Sequence, residues 1–148
     1  GDDSDEGPPA DVSGSYSLNV TNGDNDCGVE NWTEGESSTN IPFEITQEGA
    51  EIQGTIGGAA AIIVALVTGS IEFEGTVTGN SFELTNYGTI SHVEDGCGYT
   101  YNVRATGTLT GHSIAGTIVT ERSPNDDPDC AYLACRNFQE FSGSRPPR

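Results

Sequence analysis

Three short hairpins in the sequence share one pattern, in which two β-type segments flank a two-residue turn that contains glycine. We place these turns at Glu48-Gly49, Gly79-Asn80 and Gly111-His112. Each register sets apolar residues against apolar residues: Ile45 against Ile52, Ile41 against Ile56, Val77 against Phe82, Gly75 against Leu84, Leu109 against Ile114 and Ala105 against Ile118. Because a slip of one residue would turn every side chain to the opposite face, this agreement predicts an antiparallel meander.

An all-β, up-and-down barrel is the fold that we predict from these hairpins. The predicted strands number about eight, at 15–21, 41–47, 51–57, 70–78, 81–87, 97–110, 113–122 and 137–143. Several glycines fall on the inward face, with Gly54 opposite Phe43 and Gly107 opposite Gly116. Inward glycines let a sheet bend sharply, and an aromatic ring lying across one restores packing. A small barrel of about eight strands encloses either side chains or one small ligand.

One charge-free segment, "GGAAAIIVALVTG" at 57–69, interrupts the β pattern. Its unbroken apolar run is nine residues long, from Ala59 to Val67, whereas a membrane-spanning helix needs roughly 20. The flanking glycines and the three alanines favour a short helix that ends at Gly69, over a buried strand. Since this helix is apolar all round, we expect it to be buried on both sides, across one end of the barrel.

The charge balance restricts the partners of this chain. The 148 residues include 23 acidic and 5 basic side chains, and the basic ones are all arginines. Without clustered cations we predict no binding to nucleic acid, and anionic lipid surfaces are disfavoured. We predict a flexible acidic tether at 1–13 and one barrel domain at 14–148. Contact with a membrane is expected only through an N-terminal lipid anchor that is not present in this chain.

Four cysteines indicate two disulfides and therefore an oxidising compartment. Three pairings are open, and we favour Cys27–Cys97 with Cys130–Cys135. There is no hydrophobic signal segment, so we expect a mature exported chain, located outside the cell or in a bacterial cell envelope.

The residues that could carry chemistry do not form a recognisable catalytic set. His92 lies near Glu94 and Asp95, which makes a distant enzyme hypothesis, but the sequence shows no Ser/His/Asp grouping and no G-x-S-x-G motif. The acidic loops at 22–28 and 123–129 offer oxygen ligands for calcium, although they lack EF-hand spacing and their residues are also common in turns. We predict a non-enzymatic protein without a cofactor or a specific metal site.

Two resemblances to known families add to this interpretation. "SGSYSL", with Arg145 in "FSGSR", is similar to the lipocalin and calycin arrangement, in which a G-x-W motif opening the first strand is covered by an arginine; here Tyr16 replaces the tryptophan. "CGVENWTEG", "IPFEITQEG", "GTVTGNSFEL", "CGYTYN" and "FSGSRPP" resemble small cysteine-containing lipoprotein domains of environmental bacteria, including myxobacteria. These resemblances imply a calycin-like barrel and an envelope location, and they assign no functional residue.

We therefore expect a barrel that binds a small apolar ligand, with the helix as a lid. The residues predicted to line its site are Ile62, Ile63, Leu66, Phe73, Phe82, Tyr99 and Tyr101. The alternative is a surface module with a solid core that binds other proteins or copies of itself. Which of the two applies depends on whether the apolar side chains close a cavity or fill one.

Overall fold

The computed structural model describes residues 8–147, which form an antiparallel sheet with one α-helix and one 3-10 helix. The strands and helices, in chain order, are β1 (Gly14–Asn25), β2 (Ser37–Glu48), β3 (Glu51–Ile56), α1 (Gly58–Thr68), β4 (Glu72–Thr78), β5 (Ser81–Asn86), β6 (His92–Glu94), β7 (Cys97–Thr110), β8 (Ser113–Pro124), the 3-10 helix (Pro128–Leu133) and β9 (Cys135–Ser144).

Eight of these strands close into a barrel. Neighbours along the chain pair antiparallel, β5 pairs with β7, and β1 pairs with β9 to complete the circle. The short strand β6 continues the sheet along β7 beyond the end of β5. The predicted up-and-down antiparallel barrel with one short helix is confirmed.

Two of the three predicted hairpin registers are confirmed, and one is corrected. Val77 pairs with Phe82 and Leu109 with Ile114, as expected. In the first hairpin Glu48 pairs with Glu51, so the turn is Gly49-Ala50 and not Glu48-Gly49. The reason is that Gly49, with φ of 63°, takes the first turn position, where a two-residue hairpin requires a positive φ. The observed pairing of β2 with β3 differs from the predicted pairing by two positions, for example Gln47 rather than Ile45 opposite Ile52. Because side chains alternate along a strand, a shift of two positions keeps the same side chains on the inward face.

The barrel interior is filled by side chains. Thirteen buried residues form one core cluster: Val12, Tyr16, Leu18, Phe43, Ile45, Ile52, Phe73, Val77, Phe82, Leu84, Leu109, Ile114 and Phe141. Gly54 lies under the ring of Phe43, with which a Cβ at that position would collide. The Phe43 ring thus covers an inward glycine, as the sequence predicts. The residue directly opposite Gly54 in the strand pair is Ile45, however, and not Phe43.

The segment before β1 closes the end of the barrel where the hairpin turns lie. Val12 is fully buried, its N–H donates to Gln47 Oε1 at 2.8 Å, and the Ala10 N–H donates to the Gly79 carbonyl at 2.8 Å. The predicted flexible tether at 1–13 is therefore corrected for residues 10–13, which pack against the barrel because Val12 enters the core. The part of that prediction covering residues 1–7 lies outside the described residues.

Helix α1 crosses the opposite end of the barrel. It contacts β2 and β7, which stand four strands apart in the closed order of eight and so belong to opposite walls. The Gly57 N–H at its beginning donates to the Pro42 carbonyl of β2 at 2.9 Å. The predicted position of the helix, across one barrel end, agrees with these contacts.

Two disulfides are present, but their pairing differs from the one that we favoured. Cys27 is bonded to Cys135 and Cys97 to Cys130. The barrel closure explains the first bond, because β1 and β9 are neighbours and Cys27 follows β1 while Cys135 begins β9. The second bond fastens the 3-10 helix to the beginning of β7, where both cysteines are buried with Leu133.

Candidate functional site

Helix α1 is delimited by glycines at both ends. Gly57 is extended, and Gly69 adopts the left-handed conformation with φ of 98° and donates its N–H to the Ala65 carbonyl. This is the helix ending that the sequence predicts, since glycine adopts a positive φ without a Cβ clash. The predicted short helix is confirmed.

The outer face of α1 is apolar and exposed to solvent. Ile62, Ile63 and Leu66 are exposed by 65%, 64% and 68%, and Ala59 continues the same stripe at helical spacing. The opposite face carries smaller side chains, half-buried against the barrel, and Thr68 is fully buried. The prediction that this helix is buried on both sides is wrong, because the barrel end covers one face and no other described segment covers the larger side chains.

The C-terminal end of α1 is attached to the segment between β5 and β7. The Thr68 carbonyl accepts the Thr89 N–H at 2.7 Å, and the Val67 carbonyl lies 2.9 Å from His92 Nε2. Because a carbonyl can only accept, this contact is a hydrogen bond in the His92 tautomer that has its proton on Nε2. Ile90 follows Thr89 and lies against Gly69, where it extends the apolar stripe.

We call the exposed set Ile62, Ile63, Leu66 and Ile90 the apolar pole. The two chain segments that build it, 52–71 and 84–93, contain no Asp, Glu, Lys or Arg. The chain as a whole carries a formal net charge of −18. The apolar pole is therefore an uncharged, aliphatic surface patch on a strongly acidic molecule.

The seven residues predicted to line a ligand site occupy three separate places. Phe73 and Phe82 are core residues, each 5% exposed, and they contact Phe43 and Phe141 at ring-centroid distances of 5.6 and 6.4 Å. The helix residues Ile62, Ile63 and Leu66 point away from that core, and the two tyrosines belong to another cluster. The structure does not bring these residues together around one cavity.

That other cluster consists of His92, Tyr99, Tyr101 and Arg122. The His92 ring stacks on Tyr99 at 5.5 Å, and the Arg122 guanidinium lies 5.0 Å from the centroid of the Tyr99 ring. Arg122 also donates to the Tyr101 hydroxyl at 3.0 Å. Burial, followed by repulsion from Tyr101, raises the pKa of Tyr99, while Arg122 acts in the opposite direction. These contacts fasten β6, and through His92 the end of α1, to the barrel wall.

The acidic and histidine residues singled out in the sequence have local structural contacts. His92 is held by Val67 and Tyr99, and Asp95 Oδ2 lies 3.4 Å from the Tyr132 hydroxyl. In the loop at 123–129, Asp127 Oδ1 accepts the Asp129 N–H at 2.9 Å. Over residues 8–147, no three His, Cys, Asp or Glu side chains are grouped so as to hold a metal ion.

The apolar pole is the surface feature that sequence reasoning missed. Its signal was the absence of charge over both 52–71 and 84–93, which indicates a shared uncharged surface once the two segments are known to meet. None of the helices described has the length and apolar character required to cross a bilayer. No protein-family model matches the chain, and neither a curated protein nor a solved structure shows significant similarity to it.

Proposed function

We propose that this chain is an exported, non-enzymatic barrel module that works by surface contact and presents its apolar pole to a protein partner. The observation that carries the proposal is the exposure of Ile62, Ile63 and Leu66, each by about two thirds, on one face of a helix. Exposed aliphatic clusters of this kind mark interaction surfaces in soluble proteins, because water contact with them is unfavourable.

Export and tethering are the second part of the proposal. The two disulfides are compatible with an oxidising compartment. The described chain begins beside Val12, at the barrel end opposite α1. An anchor on the N-terminal side would therefore hold the apolar pole away from the anchoring surface, where a partner can reach it.

The packed interior favours surface contact over the enclosure of a ligand. Phe73 and Phe82, which a ligand would have to displace, already make aromatic contacts inside a cluster of thirteen buried side chains. Opening that space would expose well-packed core surface, which is unfavourable.

A site-specific photo-crosslinker in the source cells tests the proposal. We expect protein adducts when the crosslinker replaces Leu66, loss of those adducts when Ile63→Glu is added, and none when it replaces Ala115, which is exposed on the outer face of β8. Absence of adducts from position 66 would refute the proposal. Native mass spectrometry that finds a stoichiometric apolar molecule in the monomer would replace it with the ligand hypothesis.

A further inference from the structure

We infer that the Cys27–Cys135 bond is a reversible thiol–disulfide exchange site, at which Cys27 takes up a small external thiol and Cys135 is released as a thiolate. The second bond, Cys97–Cys130, serves only to hold the fold. The two bonds differ in their exposure and in the charges that lie beside them. None of the residues concerned belongs to the apolar pole, so this inference does not rest on the function proposed above.

The two disulfides differ in their access to solvent. Cys97 and Cys130 are 7% and 3% exposed and pack together with Leu133. Cys27 and Cys135 are only half-buried, and Cys135 lines a surface groove of about 390 Å³, a volume that suits a small molecule. Exchange requires a thiolate to reach a sulfur atom, and exposed disulfides are the labile ones. A small thiol therefore reaches the Cys27–Cys135 bond and is excluded from the buried one.

Cys135 is flanked by two of the five arginines in the chain. Arg136 follows it in β9, and Arg122 is its direct partner on β8. Directly opposite residues of antiparallel strands share a face of the sheet, with Cβ atoms about 4.5–5.5 Å apart. Both arginines line the same groove as Cys135. Because nearby cations stabilise a thiolate, the sulfur of Cys135 is a favourable leaving group.

Arg122 is the arginine that we expect to have the larger effect. Its guanidinium donates to the Tyr101 hydroxyl, a neutral group that leaves the charge in place. Over residues 8–147 no acidic side chain forms a salt bridge with Arg122, whereas Arg136 is paired with Glu121 at 3.2 Å. Arg122 therefore keeps its positive charge available to a thiolate on Cys135.

The surroundings of Cys27 have the opposite charge. Asp24 and Asp26 come just before it in the chain, and both are exposed. Carboxylates beside a sulfur atom disfavour its thiolate form, because the two negative charges repel each other. When the disulfide breaks, its electron pair is therefore more stable on Cys135 than on Cys27.

The exchange consists of one reversible substitution at sulfur. The thiolate of the external thiol attacks Cys27 Sγ and forms a new S–S bond to it, while the bond to Cys135 breaks and its electron pair leaves on Cys135 Sγ. In the reverse step the Cys135 thiolate attacks Cys27 Sγ and expels the external thiolate, which restores the original disulfide. Neither step consumes an oxidant or a reductant other than the thiol itself.

Hydrogen bonds hold the two cysteines together when the disulfide is open. The Cys27 N–H donates to Asn137 Oδ1 at 2.8 Å, and Asn137 Nδ2 donates to Asn25 Oδ1 at 2.8 Å. Asn137 is 3% exposed and lies two residues after Cys135 on β9. Since no sulfur atom takes part in these bonds, Cys135 stays beside Cys27 and the reverse step is intramolecular, which favours closure.

Exchange under native conditions, followed by peptide mapping, tests the inference. The intact protein is briefly incubated with 2-mercaptoethanol at mildly alkaline pH without denaturant, and free thiols are then alkylated with iodoacetamide. We expect 2-mercaptoethanol on Cys27, the acetamide group on Cys135 and an unbroken Cys97–Cys130 bond. Dilution of the thiol before alkylation should restore the Cys27–Cys135 bond.

A matched pair of arginine variants tests the role assigned to Arg122. Arg122→Gln should slow the opening roughly two- to fivefold, because the leaving thiolate loses its nearby cation. It should also move the alkylation of Cys135 in the mixed disulfide to higher pH, an effect that a merely structural role would not produce. The control Arg104→Gln removes the same charge from an exposed position on β7 and should change neither quantity.

Three outcomes would overturn the inference. Opening of both disulfides at one rate would mean that exchange requires unfolding of the whole domain. Attachment of the thiol to Cys135 would reverse the two roles, and persistence of both bonds during prolonged incubation would show that the site does not exchange. These outcomes are observed on the unmodified chain, so they do not depend on whether a variant folds, and none of them affects the crosslinking test at position 66.

Discussion

The Arg145 guanidinium lies over the ring of Tyr16, with 5.8 Å between its Cζ and the ring centroid. Arg145 Nη1 donates to the carbonyls of Asp11 and Ser13 at 2.8 and 2.6 Å, and to the Tyr16 hydroxyl oxygen at 3.1 Å. The Tyr16 hydroxyl in turn donates to the Val12 carbonyl at 2.8 Å. One arginine after β9 thus holds both the beginning of β1 and the segment that closes this end of the barrel.

Replacing Arg145 with methionine should lower the free energy of unfolding by about 2–4 kcal/mol, because a buried guanidinium and its charged hydrogen bonds to backbone carbonyls are lost together. Chemical denaturation measures this loss. The control Arg104→Met removes the same charge from an exposed position on β7 and should change stability by less than about 0.5 kcal/mol. Equal effects of the two variants would mean that the net charge matters and the contacts of Arg145 do not.

The contact between Gly54 and Phe43 gives a second prediction. Gly54→Ala should destabilise the barrel by about 1–3 kcal/mol, because the new methyl group would collide with the Phe43 ring. In a Phe43→Leu background the ring is absent and the same substitution should cost less. A double-mutant cycle measures the difference. Strict additivity of the two changes in unfolding free energy would show that the Phe43 ring does not clash with a methyl group at position 54.

The barrel itself could be predicted because its signals are local. Alternating side chains and glycine-containing turns specify neighbouring hairpins, and Val77–Phe82 and Leu109–Ile114 pair as the sequence indicates. The first turn was misplaced by one residue because two registers of the β2–β3 pair, which differ by two positions, both keep Ile52 on the inward face. Only the φ requirement at Gly49 distinguishes them.

The features that were missed depend on contacts between distant parts of the chain. The Cys27–Cys135 bond follows from the β1–β9 closure, which no local pattern encodes. The exposure of Leu66 could not be inferred from an all-apolar helix, because burial depends on what else in the fold covers it. Val12 looked like part of a polar leader, and its single apolar side chain gives no periodic signal that it enters the core.

The two disulfides should differ in their contribution to stability. They join residues that are 108 and 33 positions apart, so the chain-entropy estimate is about 4.8 kcal/mol for Cys27–Cys135 and about 3.7 kcal/mol for Cys97–Cys130. Paired alanine substitutions, followed by denaturation, measure both. Peptide mapping of the unmodified chain checks the pairing independently. If replacing Cys97–Cys130 lowers the free energy of unfolding more than replacing Cys27–Cys135 does, the burial of the first bond beside Leu133 contributes more than the entropy of loop closure.

The tyrosine cluster predicts how stability depends on alkaline pH. Burial raises the pKa of Tyr99 above its ordinary value of 10.0, so above that pH the unfolded chain loses this proton more readily than the folded one. The stabilisation from this group is therefore complete below pH 10 and is lost as the pH rises through the folded-state pKa. We expect the melting temperature to fall across that range, and to fall less in Tyr99→Phe.

The control for this experiment is Tyr132→Phe. Tyr132 also has a raised pKa, but its side chain is 61% exposed, so solvent screening should leave it a minor contributor to the alkaline loss. Tyr132→Phe should therefore keep most of the pH dependence of the unmodified chain. If both substitutions flatten the curve equally, the position of Tyr99 against His92 and Tyr101 has no special effect on its ionisation. If Tyr99→Phe flattens it alone, the ionisation of Tyr99, within the cluster that attaches β6 and the end of α1 to the barrel, accounts for the alkaline loss of stability.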